Sequence, residues 1–382
     1  MRSFYEFFAG GGMARAGLGE GWECSFSNDF DLKKAISYVA NWGSDDLKIG
    51  DVAKLTTVDL PGHANLAWAS FPCQDLSLAG AGAGLSGERS GTFWPFWKLI
   101  KSLVAENRAP HVIALENVVG AISSHDGKDF AAICAAIAGA DYRFGAMVID
   151  AAHFLPQSRP RLFIVGVHKS IPVPPALVAE APSLDWHSSV LIESYGKLSK
   201  RSQDSWIWWR LPSPPVRTSI FADLVEEDPQ GVTWHTGAET KKLLALMNPL
   251  NQLKVKAAKM AGHRVVGTIY KRTRADGPDG EKMQRAEIRF DNVAGCLRTP
   301  TGGSSRQIIM LIDGKHIRSR LLSPREAVRL MGLPESYIIP GSYNEAYHLA
   351  GDGVAVPVVR FLAENILEPL LAAVVDEEKK AA

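Results

Sequence analysis

Over the first 170 residues, short apolar runs of strand length alternate with stretches whose apolar residues recur at helical spacing. Residues 3–9, 22–28, 65–71, 111–115, 143–150 and 161–167 read as strands, rich in aromatic and β-branched side chains. Residues 13–20, 32–42, 93–107 and 130–138 read as helices. In 93–107, Phe93, Phe96, Trp97, Ile100 and Val104 fall on one helical face. Strand and helix in alternation predict an open, mostly parallel α/β sheet covered on both sides. The rhythm breaks at the prolines 172, 174 and 175 and again at 212, 214 and 215. From there to about residue 321 the periodicities are mixed. Helices return at 324–331 and 356–371, the first with Ser323 as N-cap, Pro324 at the first helical position and Glu326 three residues after the cap. The charged residues 376–382 are expected to fray.

Composition adds bounds. The chain has 382 residues, long enough for two domains, with 46% hydrophobic and 22% charged residues. No apolar run reaches the roughly 20 residues that span a bilayer. The first ten residues do not read as a signal peptide, since Glu6 interrupts the apolar run and Gly10 to Gly12 end it. A cytoplasmic protein is expected. Four cysteines, none in a C-x-x-C pair, argue against structural zinc or a disulfide framework and fit a reducing compartment. The net charge of +1 hides an asymmetry: residues 241–320 carry 17 Lys and Arg against 6 Asp and Glu, a local +11. Charge this one-sided suggests a polyanion partner for one part of the chain.

Chemistry-bearing residues collect where predicted strands end. Phe8-Ala9-Gly10-Gly11-Gly12 joins the first strand to a helix, a turn that lets a ligand approach backbone. Asp29, after strand two, is placed to accept ribose hydroxyls, and Asp51, after Gly50, could accept from an adenine amine or serve as a turn residue. The strand 65–71 runs into Pro72-Cys73-Gln74, putting Cys73 at the carboxyl end of a parallel strand, where such sheets bind ligands. Five glycines between residues 80 and 91 then suggest a mobile lid. Glu116-Asn117-Val118 follows the strand 111–115 and can face the same crevice. In Gln157-Ser158-Arg159-Pro160-Arg161, alternation puts Arg159 and Arg161 on one face of an extended chain.

These motifs, in this order, resemble those of the DNA (cytosine-5) methyltransferase family. Residues 320–334 and 351–357 resemble two further family motifs, and the likeness covers the chain except about 172–295. It implies a Rossmann-like methyltransferase domain with a mostly parallel sheet (residues 1–171 and 322–382) and a smaller, irregular target-recognition domain (172–321). It implies methyl transfer from S-adenosylmethionine to C5 of a cytosine flipped out of a specific duplex DNA sequence. Cys73 would be the nucleophile, Glu116 would hold the cytosine N3 and amine, and Arg159 and Arg161 would bind the flipped base and its backbone. Phe8, Gly10, Gly12, Asp29, Phe30, Asp51, Pro72, Asp352 and Val354 would hold the cofactor, with Phe30 stacking on adenine. Asp352 stands where the family usually has Asn, which alters the charge near the cofactor's methionine end. Gln74 and Ser77 would contact DNA from the lid, and Arg298, Thr299, Gly302, Gly303, Arg306 and Gln307 from the recognition segment, with lysines and arginines between 254 and 274 on phosphates. Trp206, Trp208 and Trp209 read as a small core. A monomer without metal is expected, and members of such a family serve restriction–modification systems, phages or solitary methylation.

Three other readings compete. Methylation of transfer RNA uses the same catalytic motifs, but the long basic segment favours duplex DNA. A non-enzymatic regulatory homologue would not need Cys73, Glu116 and both arginines. An NAD-dependent oxidoreductase explains the first glycines but neither Pro-Cys-Gln nor Glu-Asn-Val.

Overall fold

The computed structural model describes residues 1–72, 90–275, 280–298 and 306–381. They divide into two compact units: Met1–Asp150 with Pro160–Pro215 and Val354–Ala382, and Ala151–Arg159 with Val216–Gly353.

The first unit is built on a seven-stranded sheet. Its strands are β1 (Arg2–Phe7), β2 (Trp22–Asp29), β3 (Leu47–Ile49), β4 (Leu66–Ala69), β5 (Val112–Val118), β6 (Tyr142–Asp150) and β7 (Pro160–His168), in spatial order β3-β2-β1-β4-β5-β7-β6. Every neighbouring pair up to β5 is parallel, while β7 runs antiparallel to β5 and β6. Burial on both faces explains why β4 and β5 read as continuous apolar runs rather than alternating ones. Helices α1 (Met13–Leu18), α2 (Leu32–Trp42), α3 (Phe93–Ala105) and α4 (Lys128–Gly139) connect the strands. α3 buries the face predicted for it, Phe93, Phe96, Trp97 and Ile100, among Phe7, Phe71 and Leu115. The C-terminal helical run, Val356–Leu362 and onward, packs on α1 at Gly17, where an added Cβ would lie 2.4 Å from the Val359 side chain.

Residues 172–215, grouped by the sequence with the recognition domain, belong to this first unit. The reason is backbone pairing with the sheet edge: the Phe144 amide donates to the Ser205 carbonyl, the Ile207 amide donates to the Phe144 carbonyl, and Trp209 donates its indole N–H to the Val165 carbonyl. Trp206 meets Phe144, Tyr195 and Trp208 at ring distances of 5.2–5.3 Å, so the tryptophans form the small core expected of them.

The second unit has regular structure where the sequence showed mixed signals. Four antiparallel strands lie in the order Lys282–Arg289, Val265–Ala275, Ile308–Asp313, His316–Leu321. Ile269, Ile288, Ile308, Met310 and Ile312 pack against Leu243, Val255 and Ala258 of the helices Gly237–Ala245 and Pro249–Lys259. Residues 322–353, grouped by the sequence with the catalytic domain, lie in this unit. Here the predicted cap of the helix Pro324–Arg329 forms in full: Ser323 Oγ accepts from the Glu326 amide and the Glu326 carboxylate accepts from the Ser323 amide. Glu326 also makes a buried two-pronged ion pair with Arg320, at 2.6 and 2.7 Å. Among the described residues, no helix is long and apolar enough to cross a membrane.

Candidate active site

The turn after β1 departs from ordinary backbone at once. Phe8 has φ +59°, unusual for a bulky side chain, and Gly12 has φ +74°. Gly12 is also sterically required, because a Cβ there would lie 2.3 Å from the Trp42 indole nitrogen, which donates to the Gly11 carbonyl. Asp29, buried at the end of β2, ties the turn to the sheet: its Oδ2 accepts from the Gly10 amide at 2.7 Å and its Oδ1 from Asp31 at 2.8 Å. Burial raises its pKa, against the pull of Lys34 and those two amides. The next residue, Phe30, is 77% exposed. Asp51 caps a short turn through the Ala53 amide.

Sequence reading passed over one residue beneath this turn. Glu6 on β1 is 1% exposed, and its Oε2 is buried without a hydrogen-bond partner among the described residues. Burial raises its pKa to about 8, with Arg15 opposing and Asp46 adding to the rise. The folded chain therefore keeps a proton that the unfolded chain releases near pH 4.5. Stability from this group is fully present below that pH and is lost as pH rises towards 8, by up to about 1.4 kcal/mol per pH unit. Urea denaturation at a series of pH values is expected to show Glu6→Gln removing this decline; an unchanged slope would place the titration elsewhere. The signal available in the sequence was a lone carboxylate inside an otherwise apolar strand.

At the centre of the sheet, β5 extends further than predicted. Pairing of Glu116 with Phe163 and of Val118 with Arg161 carries the ladder through Val118, so Glu116 and Asn117 lie within the strand rather than after it. This register sets Glu116 diagonally across from Arg161, and Arg161 Nε lies 3.2 Å from Glu116 Oε1, both side chains mostly buried. Asn117, given no role from sequence, donates its side-chain amide to the Phe71 carbonyl at 3.1 Å and so pins the chain entering Pro72. Cys73, Gln74 and Ser77 lie outside the described residues, as do Thr299, Gly302 and Gly303.

β7 begins at Pro160, and Arg159, before it, belongs to the second unit. Buried there, it donates to the carbonyls of Leu297, Gly351 and Gly353 at 2.6–3.0 Å, fixing two segments of that unit. Gln157 works alongside it: its amide donates to Leu330 and accepts from Leu297. Extended geometry aligns i and i+2 while one strand continues, and the Ala151 amide, which donates to the Arg159 carbonyl at 3.2 Å, carries the β6–β7 pairing one step past Pro160. Gln307 is 0% exposed and donates its amide to the Ile269 and Ile308 carbonyls. Arg306 packs over Tyr343 and bonds Asn344, whereas Arg298 is exposed. Asp352 is exposed at the end of the helix Tyr343–Asp352, and Val354 is buried in the first unit.

A family model, C-5 cytosine-specific DNA methylase, matches residues 2–368. The chain belongs to that family. It is thereby a DNA (cytosine-5-)-methyltransferase. The Type II methyltransferase M.HhaI of Haemophilus parahaemolyticus is 25% identical over 95% of this chain and 93% of its own length. M.DsaV of Dactylococcopsis salina, also named a Type II methyltransferase, is 27% identical over 95% and 85%. The fold resembles the crystal structure of S. pombe Dnmt2, with a TM-score of 0.60, 17% identity and coverage of 97% and 99% of the two chains.

Proposed function

We propose that this methyltransferase acts on C5 of a flipped cytosine in a specific duplex DNA sequence, through a transient bond from Cys73, with S-adenosylmethionine as the methyl donor. The observation that carries the reading is the Glu116–Arg161 pair, held at the end of β5 beside the chain that Asn117 pins ahead of Pro72-Cys73.

The first-strand turn suits the proposed cofactor. Each Asp29 oxygen takes one backbone amide and keeps a lone pair for a ribose hydroxyl. The exposed Phe30 ring is available to an adenine face, and Asp51 has an oxygen without a partner among the described residues. Phe8, Gly10 and Gly12 shape the backbone the ligand would approach. When bound, S-adenosylmethionine supplies a methyl group activated as a sulfonium. Pro72, Asp352 and Val354 complete the proposed contacts.

The protein's own part is to make C5 nucleophilic. Cytosine must leave the stack to be reached. Cys73 thiolate adds to C6, and the ring electrons move so that C5 becomes the carbon of an enamine. Glu116 binds N3 and the exocyclic amine and stabilises the charge that develops there, while Arg161 orients Glu116 and contacts the base. Arg159, which also donates to the Leu297, Gly351 and Gly353 carbonyls, would bind the flipped base and its backbone with Arg161. After methylation, loss of the C5 proton to a base lets the ring expel Cys73 as thiolate. Two of the described cysteines make poor nucleophiles: burial pushes up the thiols of Cys24 and Cys134. Gln74, Ser77, Arg298, Thr299, Gly302, Gly303 and Arg306 remain the proposed DNA contacts of the lid and recognition segment. Likeness to Type II methyltransferases supports a place in a restriction–modification system.

Incubation with methyl-labelled cofactor and either genomic DNA or transfer RNA tests the reading. Label is expected in DNA as 5-methylcytosine, at one sequence context by bisulfite sequencing. Label confined to transfer RNA would overturn it.

A further inference from the structure

A cavity of about 650 Å³ opens at the outer edge of the first unit's sheet, lined by Arg143, Lys169, Arg201, Asp204 and Ser205. Strand register brings these residues together. Arg143 lies at the start of β6, the last strand of the sheet, and pairs with Val167 near the end of β7, just ahead of Lys169. On the open side of β6, the Phe144 amide donates to the Ser205 carbonyl at 2.8 Å, which holds the short helix Lys200–Asp204 beside Arg143. The cavity lies at the rim of the sheet away from Glu116 and Arg161. Val167 also pairs with Val112, the first residue of β5, and the run of β7 from there back to Arg161 spans about 20 Å.

The charges around it do not cancel. Four cations, Arg143, Lys169, Lys200 and Arg201, stand against two carboxylates, Asp141 and Asp204. Both carboxylates are engaged, Asp141 by Lys169 at 3.0 Å and Asp204 by Lys200 at 2.8 Å. The bond from Lys169 holds the Asp141 carboxyl below the usual range, and the charges of His168 and Arg201 add to that pull. Neither guanidinium group has a carboxylate partner among the described residues. Arg143 donates to the Ile171 carbonyl at 2.6 Å, and its Nε is buried without a partner among those residues. Arg201 donates to the Ala138 carbonyl at 3.3 Å. A guanidinium carries five N–H donors in a planar fork, so most of the donors of both groups are left over.

We infer that this cavity binds a phosphomonoester, a small molecule whose terminal phosphate sits between the guanidinium groups of Arg143 and Arg201 with Lys169 beside it. The excess of two positive charges matches the roughly −1.5 to −2 that such a phosphate carries near pH 7. Planar guanidinium forks suit its oxygens, which accept paired N–H donors. A phosphodiester of a nucleic-acid backbone carries a single charge and matches the excess less well. The volume falls within the roughly 300–1,000 Å³ of small-molecule sites and leaves room for an organic part of sugar size beside the phosphate. This site does not rest on the proposed reaction, and the two stand or fall separately.

The test is titration calorimetry on the full chain with ribose 5-phosphate. Binding is expected, with inorganic phosphate competing for the same place. Arg201→Gln, at an exposed position, is expected to weaken binding about tenfold or more, and Arg201→Lys, which keeps the charge but not the fork, to recover part of the loss. Arg143→Gln is expected to weaken it further, with urea denaturation checking that this variant is folded. Absence of binding, equal affinity in the wild type and Arg201→Gln, or failure of inorganic phosphate to compete would overturn the site. So would displacement by S-adenosylmethionine, which would move the phosphate to the first-strand turn. Competition by a short duplex without terminal phosphates would assign the cavity to a nucleic-acid backbone and overturn it as well. Protein that binds ribose 5-phosphate as expected but leaves no 5-methylcytosine in DNA would sink the activity while sparing the site.

Discussion

Replacing Cys73 by serine is expected to abolish methyl transfer, with a fall of about four orders of magnitude or more, while leaving cofactor binding intact. A thiol near its ordinary pKa holds a few per cent thiolate at neutral pH and is intrinsically nucleophilic; a serine hydroxyl holds essentially none without an adjacent base. Without addition to C6, cytosine C5 has too little electron density to take a methyl group. A trap isolates this step. On duplex DNA with 5-fluorocytosine at the target, addition and methylation proceed, but C5 carries fluorine where a proton must leave. Elimination stops, and protein and DNA stay joined through sulfur. Denaturing gels are expected to show this adduct for the wild type and none for Cys73→Ser. Trapping that survives the substitution would put the nucleophile elsewhere; with Cys134 buried and the thiol of Cys24 raised, Cys296 is the described cysteine to replace next.

How much of this was legible follows from what each pattern encodes. The sheet of the first unit was readable because parallel strands buried on both faces leave uninterrupted apolar runs, and helices such as α2 and α3 leave a one-sided stripe. The Ser323 cap was readable because its hydrogen bonds join residues three apart. The antiparallel sheet of the second unit was not. Its longest strand continues from a packed half, Val265 to Ile269, into a solvent-exposed half filled with Lys271, Arg272 and Arg274, and no single periodicity spans both. The roles of Arg159 and Gln307 were hidden for another reason. Each is a polar residue in a motif-like setting, and only the tertiary partners, carbonyls of Leu297, Gly351 and Gly353 for one and of Ile269 for the other, reveal a structural use. Sequence shows that a polar side chain is present; long-range contacts decide whether its hydrogen bonds remain for a ligand.

Glu116→Gln is expected to lower the rate of transfer by about two to three orders of magnitude, with little change in cofactor affinity measured by calorimetry. The amide fills the same space but carries no charge to offset what develops on the ring as sulfur adds to C6. The substitution also strips Arg161 of its partner 3.2 Å away. Losing one member of a buried pair costs up to about 3–5 kcal/mol, and the residual exposure of these two side chains makes the lower end the better expectation. Loss of rate could therefore follow from loss of structure, and a double substitution separates the two. Glu116→Gln with Arg161→Met removes both charges, so much of the stability is expected to return in urea denaturation. The rate is expected to stay low, because nothing then stabilises the reacting base. Recovery of rate in the double variant would mean that Glu116 serves only to neutralise Arg161. Stability that returns while transfer does not would show that the loss of rate is not a loss of structure and would assign the pair to the chemistry itself.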